Sequence, residues 1–498
     1  MYAELGNSIH GRPDAGEPLA ENKAAAEIAA SIAALEDLGS GHSVDQHLAR
    51  LFQLEDFSWQ FARRLSRDYL VSPRAGHRLE TRLWQANYDW WWQLVLAYEE
   101  CLRRYHAGVK GVREVKPWLG VLYSRLLHAY LFSHKWARFR YGAISSQLWF
   151  GAGRAYLGAV ADGVAELELI AYPGAEIATS PRREYLKTLM LHASSMDNLL
   201  PLEIEIAQQL ISHFLPLVTF SEAARHGNVF WVDAATDAAP QRMTRAPQPS
   251  PSLRFFSAGK TLKAIAELRQ RLVDSGEVPA GTRLGSQYTA RSILPLLDHL
   301  AVQWSPTPPS RSHTRHRVKS RLTVVHGFAA LWAQLSQGQA AGETWLVDNV
   351  SREGLGAKVA LADHDWLRLG VLVGVQPEGG DNWLVGVIRR LSSESDGSGQ
   401  VGIGTLGKAA RAVVAHAAAG LSVSAILADL PHLGETVCLV LERAAYQGET
   451  PLDVELDGAR LRLLPVELVK TGTDFAVASY RVEAISRVFS APISDERP

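Results

Sequence analysis

Along residues 81–104, Trp84, Tyr88, Trp91, Val95, Tyr98 and Leu102 recur at alternating steps of four and three, which puts them on one face of a helix. Trp90, Trp92 and Leu96 widen the stripe, so burial around much of that helix is expected. Pro117 stands where a further helix starts, and Trp118, Leu122, Leu126 and Tyr130 follow at helical spacing. Residues 162–170, 183–192 and 202–215 continue the helical pattern. Strict apolar–polar alternation is scarce before about residue 225, and no repeat of about 34 or 40 residues marks a solenoid.

The texture then changes twice. Residues 234–251 turn to Ala, Pro, Gln, Thr and Ser and read as a loop or linker, followed by helical segments at 258–274 and 286–303. Ser305-Pro-Thr-Pro-Pro-Ser310 cannot continue a helix, and a domain boundary is expected there. Beyond it lie short β-branched runs at 322–326, 344–348, 355–361, 369–375, 383–390 and 400–405, bounded by Gly, Asp or Asn. They predict a small antiparallel barrel. An Ala-rich piece at 408–419 reads as helix. A second β-rich run, 435–487, is punctuated by Gly448, Gly458 and Gly472 and could form another small barrel.

The expected fold class is multidomain α + β. An all-α N-terminal domain spans 1–233, with a linker and two further helices over 234–304. A small antiparallel barrel with an arginine-bearing arm follows over 305–409, and a second small β domain closes the chain over 410–498.

Bulk properties narrow the function. The 498 residues carry a formal net charge of −1, so no global charge recruits a nucleic-acid polymer or a membrane surface, and any anion site must be local. Cys101 and Cys438 are the only cysteines and follow no metal-ligand spacing, which fits a reducing compartment. With neither a signal-peptide pattern nor a long uncharged apolar run, a cytoplasmic protein without membrane insertion is expected.

The local charge lies in one place. Between Asp298 and Glu343 there is no acidic residue, and the gap holds Arg311, Arg315, Arg317, Lys319 and Arg321. Arg317 and Arg321 form an RxxxR spacing just ahead of the first expected barrel strand, and Asn349-Val-Ser351-Arg-Glu-Gly354 closes the second. RxxxR followed by (D/N)xSxxG resembles the PilZ domain signature, over about 90 of the 498 residues.

That resemblance implies a receptor for cyclic di-GMP. The ligand carries two phosphodiester charges and two guanines. Guanidinium groups fork onto phosphate oxygens or guanine O6 and N7 and stack on purine faces. Asn349 accepts from a guanine N–H, Ser351 offers a hydroxyl, and Gly354 permits close approach. Asp348 beside them, Arg315 as a spare phosphate contact and Trp383 flanking a guanine complete the candidate set. Plain readings stand beside these: Asn349, Ser351 and Gly354 also suit an ordinary turn, and Trp383 suits rim packing. Arg389 and Arg390 adjoin on one strand and should face opposite sides, so at most one would help.

Other signals are weaker. Gly402-Ile-Gly-Thr-Leu-Gly407-Lys408 fits GxGxxG and nearly fits a P-loop, but Ala409 replaces the required hydroxyl and no βαβ unit follows. A late barrel strand is the expectation there. His128 and His134 lack nearby carboxylates in sequence, so neither a metal nor a catalytic centre is expected.

The main expectation is a non-enzymatic receptor. Ligand would draw the 311–321 arm onto the barrel and change how the helical domain meets an unidentified protein partner. The resemblance implies control of motility, adhesion or polysaccharide production. The alternative is a scaffold or chaperone-like adaptor whose barrel does not bind nucleotide. A third is an enzyme with its site among the N-terminal helices, which a polar cluster inside that bundle would favour.

Overall fold

The computed structural model describes residues 17–39, 42–71, 77–282, 284–285, 287–309, 314–338, 341–360, 364, 366–393, 398–417, 421–448 and 450–485. The chain forms two compact units, Met1–Ser310 and Arg311–Pro498.

The first unit begins with helices α1 (Glu17–Glu36), α2 (Val44–Val71), α3 (His77–His106), α4 (Val112–Val115), α5 (Leu119–Phe139), α6 (Ser146–Ala161), α7 (Pro181–Ala193) and α8 (Pro201–Phe214). Helix α3 buries Trp90, Trp91, Leu94, Val95, Tyr98, Cys101 and Leu102; Trp84, Tyr88 and Trp92 of the expected stripe are partly buried, and Leu96, expected to widen it, is exposed. Helix α5 is buried on nearly every side and forms the centre of the unit. On α2 the buried positions are Val44, His47, Leu48, Leu51, Glu55, Ser58, Ala62, Leu65 and Tyr69, which apart from His47 follow a four–three alternation with a glutamate in its middle. Helix α7 starts where Ser180 accepts from the Arg183 N–H at 3.3 Å and Pro181 occupies the first turn. Residues 162–170, expected as helix, are turns and an isolated bridge between Leu169 and Thr179. Gly163, at φ 71°, ends α6, because a left-handed residue cannot extend it.

Strands β1 (Thr219–Ser221), β2 (Phe230–Asp233), β3 (Gln241–Arg242) and β4 (Leu253–Ser257) form a sheet in the order β1-β4-β2-β3. The sequence reading misses this sheet: its strands are two to five residues long, too short for a period to register. Helices α9 (Thr261–Ser275) and α10 (Ala290–Trp304) follow. Phe256, Ile265, Leu268, Leu297 and Trp304 join one continuous apolar core with the residues of α1–α8.

The second unit holds two closed six-stranded antiparallel barrels. The first uses β5 (His316–His326), β6 (Glu343–Ser351), β7 (Gly354–Ala360), β8 (Leu372–Pro377), β9 (Leu384–Ser393) and β10 (Ser398–Gly407), ordered β10-β7-β6-β5-β8-β9. A helix, α11 (Phe328–Gln337), follows β5 and was not anticipated. The second barrel uses β11 (Arg411–Ala417), β12 (Ser422–Leu427), β13 (Thr436–Glu442), β14 (Leu452–Leu456), β15 (Ala459–Thr471) and β16 (Phe475–Ala484), ordered β11-β12-β13-β16-β15-β14. Within each barrel the first strand pairs with the second and fourth, the third with the second and sixth, and the fifth with the fourth and sixth. The two barrels therefore share one topology.

The expected helix at 408–419 is corrected to strand β11. Val413 and Ala415 point inward while Arg411, Val414 and His416 are exposed, and β12 and β14 pair on either side. Ladder pairing and inward packing outweigh alanine's helix preference. Residues 418–419 of that reading lie outside the described set.

The barrels pack through Val325, Phe328, Leu331, Val385 and Val387 of the first and Ile426, Ala428, Val440, Phe475 and Val477 of the second. Asp474 Oδ2 accepts from the Phe328 N–H at 2.7 Å, so the second barrel caps α11, whose own N-cap is Gly327.

Candidate ligand-binding site

The two motif arginines lie in a strand and not on an arm ahead of it. Arg317 pairs opposite Asn349 and Arg321 opposite Leu346 across β5 and β6, and both arginines are exposed. Irregularities between Arg317 and Ser320 on β5, and between Val347 and Asn349 on β6, keep the polar end of β5 in the ladder. Asp348 is the extra residue of β6. Arg315 precedes β5 and is exposed, while Arg311 lies outside the described residues.

On the outer face Arg317 thus lies directly opposite Asn349, Arg321 lies farther along β5 opposite Leu346, and Ser351 lies beyond Asn349 at the hairpin end of β6. Asn349 Nδ2 donates to Asp348 Oδ2 at 3.0 Å. Ser351 Oγ donates to the Gly354 carbonyl at 3.1 Å across the hairpin joining β6 and β7. Gly354 has a structural reason of its own, since a Cβ there would strike the Ile403 carbonyl of β10. Among the described residues, neither the Arg317 nor the Arg321 guanidinium takes part in an ion pair. Two solvated, planar cations beside an amide and a hydroxyl suit a phosphodiester or a guanine edge.

Trp383 is not brought to this face. It is half-buried against the apolar layer between the barrels, and its carbonyl accepts from the Ala410 N–H at 2.9 Å. Arg389 and Arg390 depart from the opposite-faces expectation. Arg390 pairs with Gly402 and Ile388 with Ile403, which leaves Arg389 as an extra residue, and both arginines are exposed. Gly402–Gly407 lies within β10, the late strand expected in place of a phosphate loop.

The second barrel has a related connection that the sequence reading missed. Between β12 and β13 it runs Asp429-Leu-Pro431-His-Leu-Gly434, with acid and glycine spaced as Asn349 and Gly354 are and proline in place of Ser351. Strand β11, the counterpart of β5, carries Ala415 four positions after Arg411, so it has no arginine pair. Asp429 Oδ1 accepts from the Lys408 N–H at 2.7 Å, a link between the barrels.

A polar cluster does lie inside the helical bundle. Glu55, 1% exposed, accepts from the Tyr98 hydroxyl, from Tyr172 OH at 2.9 Å and from Arg125 Nη1 at 3.0 Å. Arg125 also reaches Asp56 at 3.0 Å and the Ala171 carbonyl at 2.7 Å. These groups consume one another and brace the 162–180 segment against α2, α3 and α5. His128, read as lacking a carboxylate, has one from a distant part of the chain: its Nδ1 is 3.1 Å from Glu184 Oε2. Glu184 also accepts from Thr179 and Lys187, each at 2.6 Å; Lys187 and His128 hold its carboxyl far below the usual range despite burial. His134 is fully buried, and desolvation pushes it well below its ordinary value. No group of three or more potential metal ligands occurs among the described residues. Among the described residues, no helix is long and apolar enough to cross a membrane.

No curated protein gives a significant match to the chain. Residues 17–225, the helical part of the first unit and not the barrel that carries the PilZ-like residues, match the family model described as "Cyclic-di-GMP receptor FimW, N-terminal domain".

Proposed function

We propose that this chain is a cytoplasmic receptor for cyclic di-GMP, with the nucleotide held on the outer face of the first, PilZ-like barrel. The observation that carries the reading is the ladder register that sets Arg317 directly opposite Asn349, with Arg321 and Ser351 farther along the same outer face. Phosphodiester oxygens go to Arg317 and Arg321, and a guanine edge goes to Asn349 and Ser351. Asp348, which accepts from Asn349, orients its amide, and Arg315 adds a cation just ahead of the strand. The similarity of residues 17–225 to a domain named for a cyclic-di-GMP receptor supports the same ligand independently of the barrel residues.

The helical unit is the part that meets a protein partner. Arg317 follows Ser310, the last residue of that unit, by only a few positions, so holding it bears directly on the connecting chain. A ligand shifts such an arrangement only by its differential affinity for the two states. The chain binds and reports the nucleotide and does not transform it. The test is titration calorimetry of cyclic di-GMP into the full chain and into the Arg317→Ala/Arg321→Ala variant. Saturable binding of the first, lost in a folded variant, is expected. A silent wild-type protein, with GTP and cyclic AMP equally silent, refutes the reading.

A further inference from the structure

Four glycines form a block on the outer face of the first barrel. Gly354 and Gly356 of β7 pair with Gly404 and Gly402 of β10. None of the four has a positive φ, so backbone conformation does not demand glycine at any of them. Their neighbours on the same parity, Lys358 and Gln400, are exposed, which sets the block on the solvent side. Glycine inside a strand weakens it and marks a bulge or a close approach by another group. The Ile403 carbonyl accounts for Gly354; it does not account for the other three.

What lies over those three comes from both sides. A Cβ at Gly356 would come within 2.7 Å of Asn349 Nδ2, and one at Gly404 within 2.9 Å of the Arg389 guanidinium carbon. A Cβ at Gly402 would lie 3.1 Å from Arg390 Cβ. The ladder runs Arg317, Asn349, Gly356, Gly402, Arg390 across five strands. On ordinary strand spacing, the lane between β6 and β9 is about 14 Å wide. Asn349 and Ser351 wall one side. The irregularity in β9 turns Arg389 outward on the other, as bulges do where a side chain is re-aimed.

We propose that this glycine lane is the seat of one guanine of the dinucleotide, and that Arg389 is a further ligand-contact residue closing it from the side opposite Arg317. This rests on cyclic di-GMP being the ligand. The four glycines add no side chain of their own; Arg389 lies over buried Gly404 and Asn349 over Gly356, so a flat purine would sit above Gly402 between these two side chains. A planar cation beside it stacks on the purine or forks onto O6 and N7, which a lysine ammonium does less well.

The experiment is calorimetric titration of cyclic di-GMP into the full chain, wild type and the variants Arg389→Ala, Arg389→Lys and Gly402→Val, each checked by thermal melt. Arg389→Ala should weaken binding about tenfold or more, the loss of one charge-assisted contact, and Arg389→Lys should recover only part. Gly402→Val sets its Cβ 3.1 Å from Arg390 Cβ, so a modest fall in melting temperature is expected, yet the folded variant should lose most binding. If wild type binds and both Arg389→Ala and Gly402→Val bind as tightly, the lane is overturned while the receptor reading stands. If Gly402→Val misfolds, the Arg389 variants alone decide. If wild type does not bind, the receptor reading falls and the lane with it.

Discussion

Arg125→Met tests what holds the helical unit together. Methionine keeps much of the bulk and removes every donor. Arg125 is 3% exposed, lies 3.0 Å from both Glu55 and Asp56, donates to the Ala171 carbonyl at 2.7 Å, and stacks its guanidinium 4.4 Å from the Phe52 ring centroid and 4.5 Å from that of Tyr172. Without it, Glu55 stays buried with only two hydroxyl donors. Breaking a buried pair from one side costs about 3–5 kcal/mol, and an orphaned buried carbonyl adds about 1–3 kcal/mol. Because the groups share one network, the parts overlap, and about 4 kcal/mol in all is expected, a large fraction of a typical domain's stability. Removing both charges with Arg125→Met/Glu55→Gln should cost less than the two single changes together, by about 1–3 kcal/mol. The assay is urea denaturation followed by tryptophan fluorescence, since Trp90, Trp91 and Trp136 lie in that core. A single-variant loss below about 1 kcal/mol, or strict additivity in the pair, refutes the brace.

Acid should loosen the same unit. Burial, helped by Arg138 and opposed by Asp197, pushes His192 down to about 4. The unfolded chain then takes up the proton first as pH falls below about 6.5, so stability is full above that pH, is lost progressively down to about pH 4, and is lower by about 2 kcal/mol at pH 5. A His192→Gln variant should show a smaller difference between urea midpoints at pH 7 and pH 5, and an unchanged difference refutes the assignment. In the barrel unit, Asp474→Ala removes the only cap on α11 given by a side chain among the described residues. It should cost about 1 kcal/mol, seen as a fall of about 2–4 °C in that unit's melting temperature, with cyclic di-GMP affinity unchanged.

Much of the architecture is written in periods that need no tertiary knowledge. The stripe from Trp84 to Leu102 and the β-branched runs after residue 320 each carry their own spacing. Apart from the short strands β1–β4 and the stop of α6 at Gly163, the failures depend on a partner far away in sequence. Whether Arg317 lies on an arm or in a ladder is decided by β6, and the outward turn of Arg389 is decided by where β10 pairs. Ala-rich β11 is a strand because β12 and β14 flank it. Glu55 was legible, since it falls in step with Leu51 and Ser58 on the buried face of α2, but a lone charge in an apolar stripe does not name its cation. His128 likewise finds Glu184 only once α5 and α7 meet. The motif residues were legible because residue types and spacing carry them, whereas the glycine lane needs two strands paired in register before four separate letters become one surface.

Only Lys408, Ala409 and Ala410 separate the last strand of one barrel from the first strand of the next, and the cap of a helix in the first belongs to the second. The two barrels share one topology, but only the first carries the arginine pair. The second barrel is nonetheless structural support for the first. Deleting it would uncover Val325, Phe328, Leu331, Val385 and Val387 together, so the barrel with the arginine pair should not fold soundly without its neighbour.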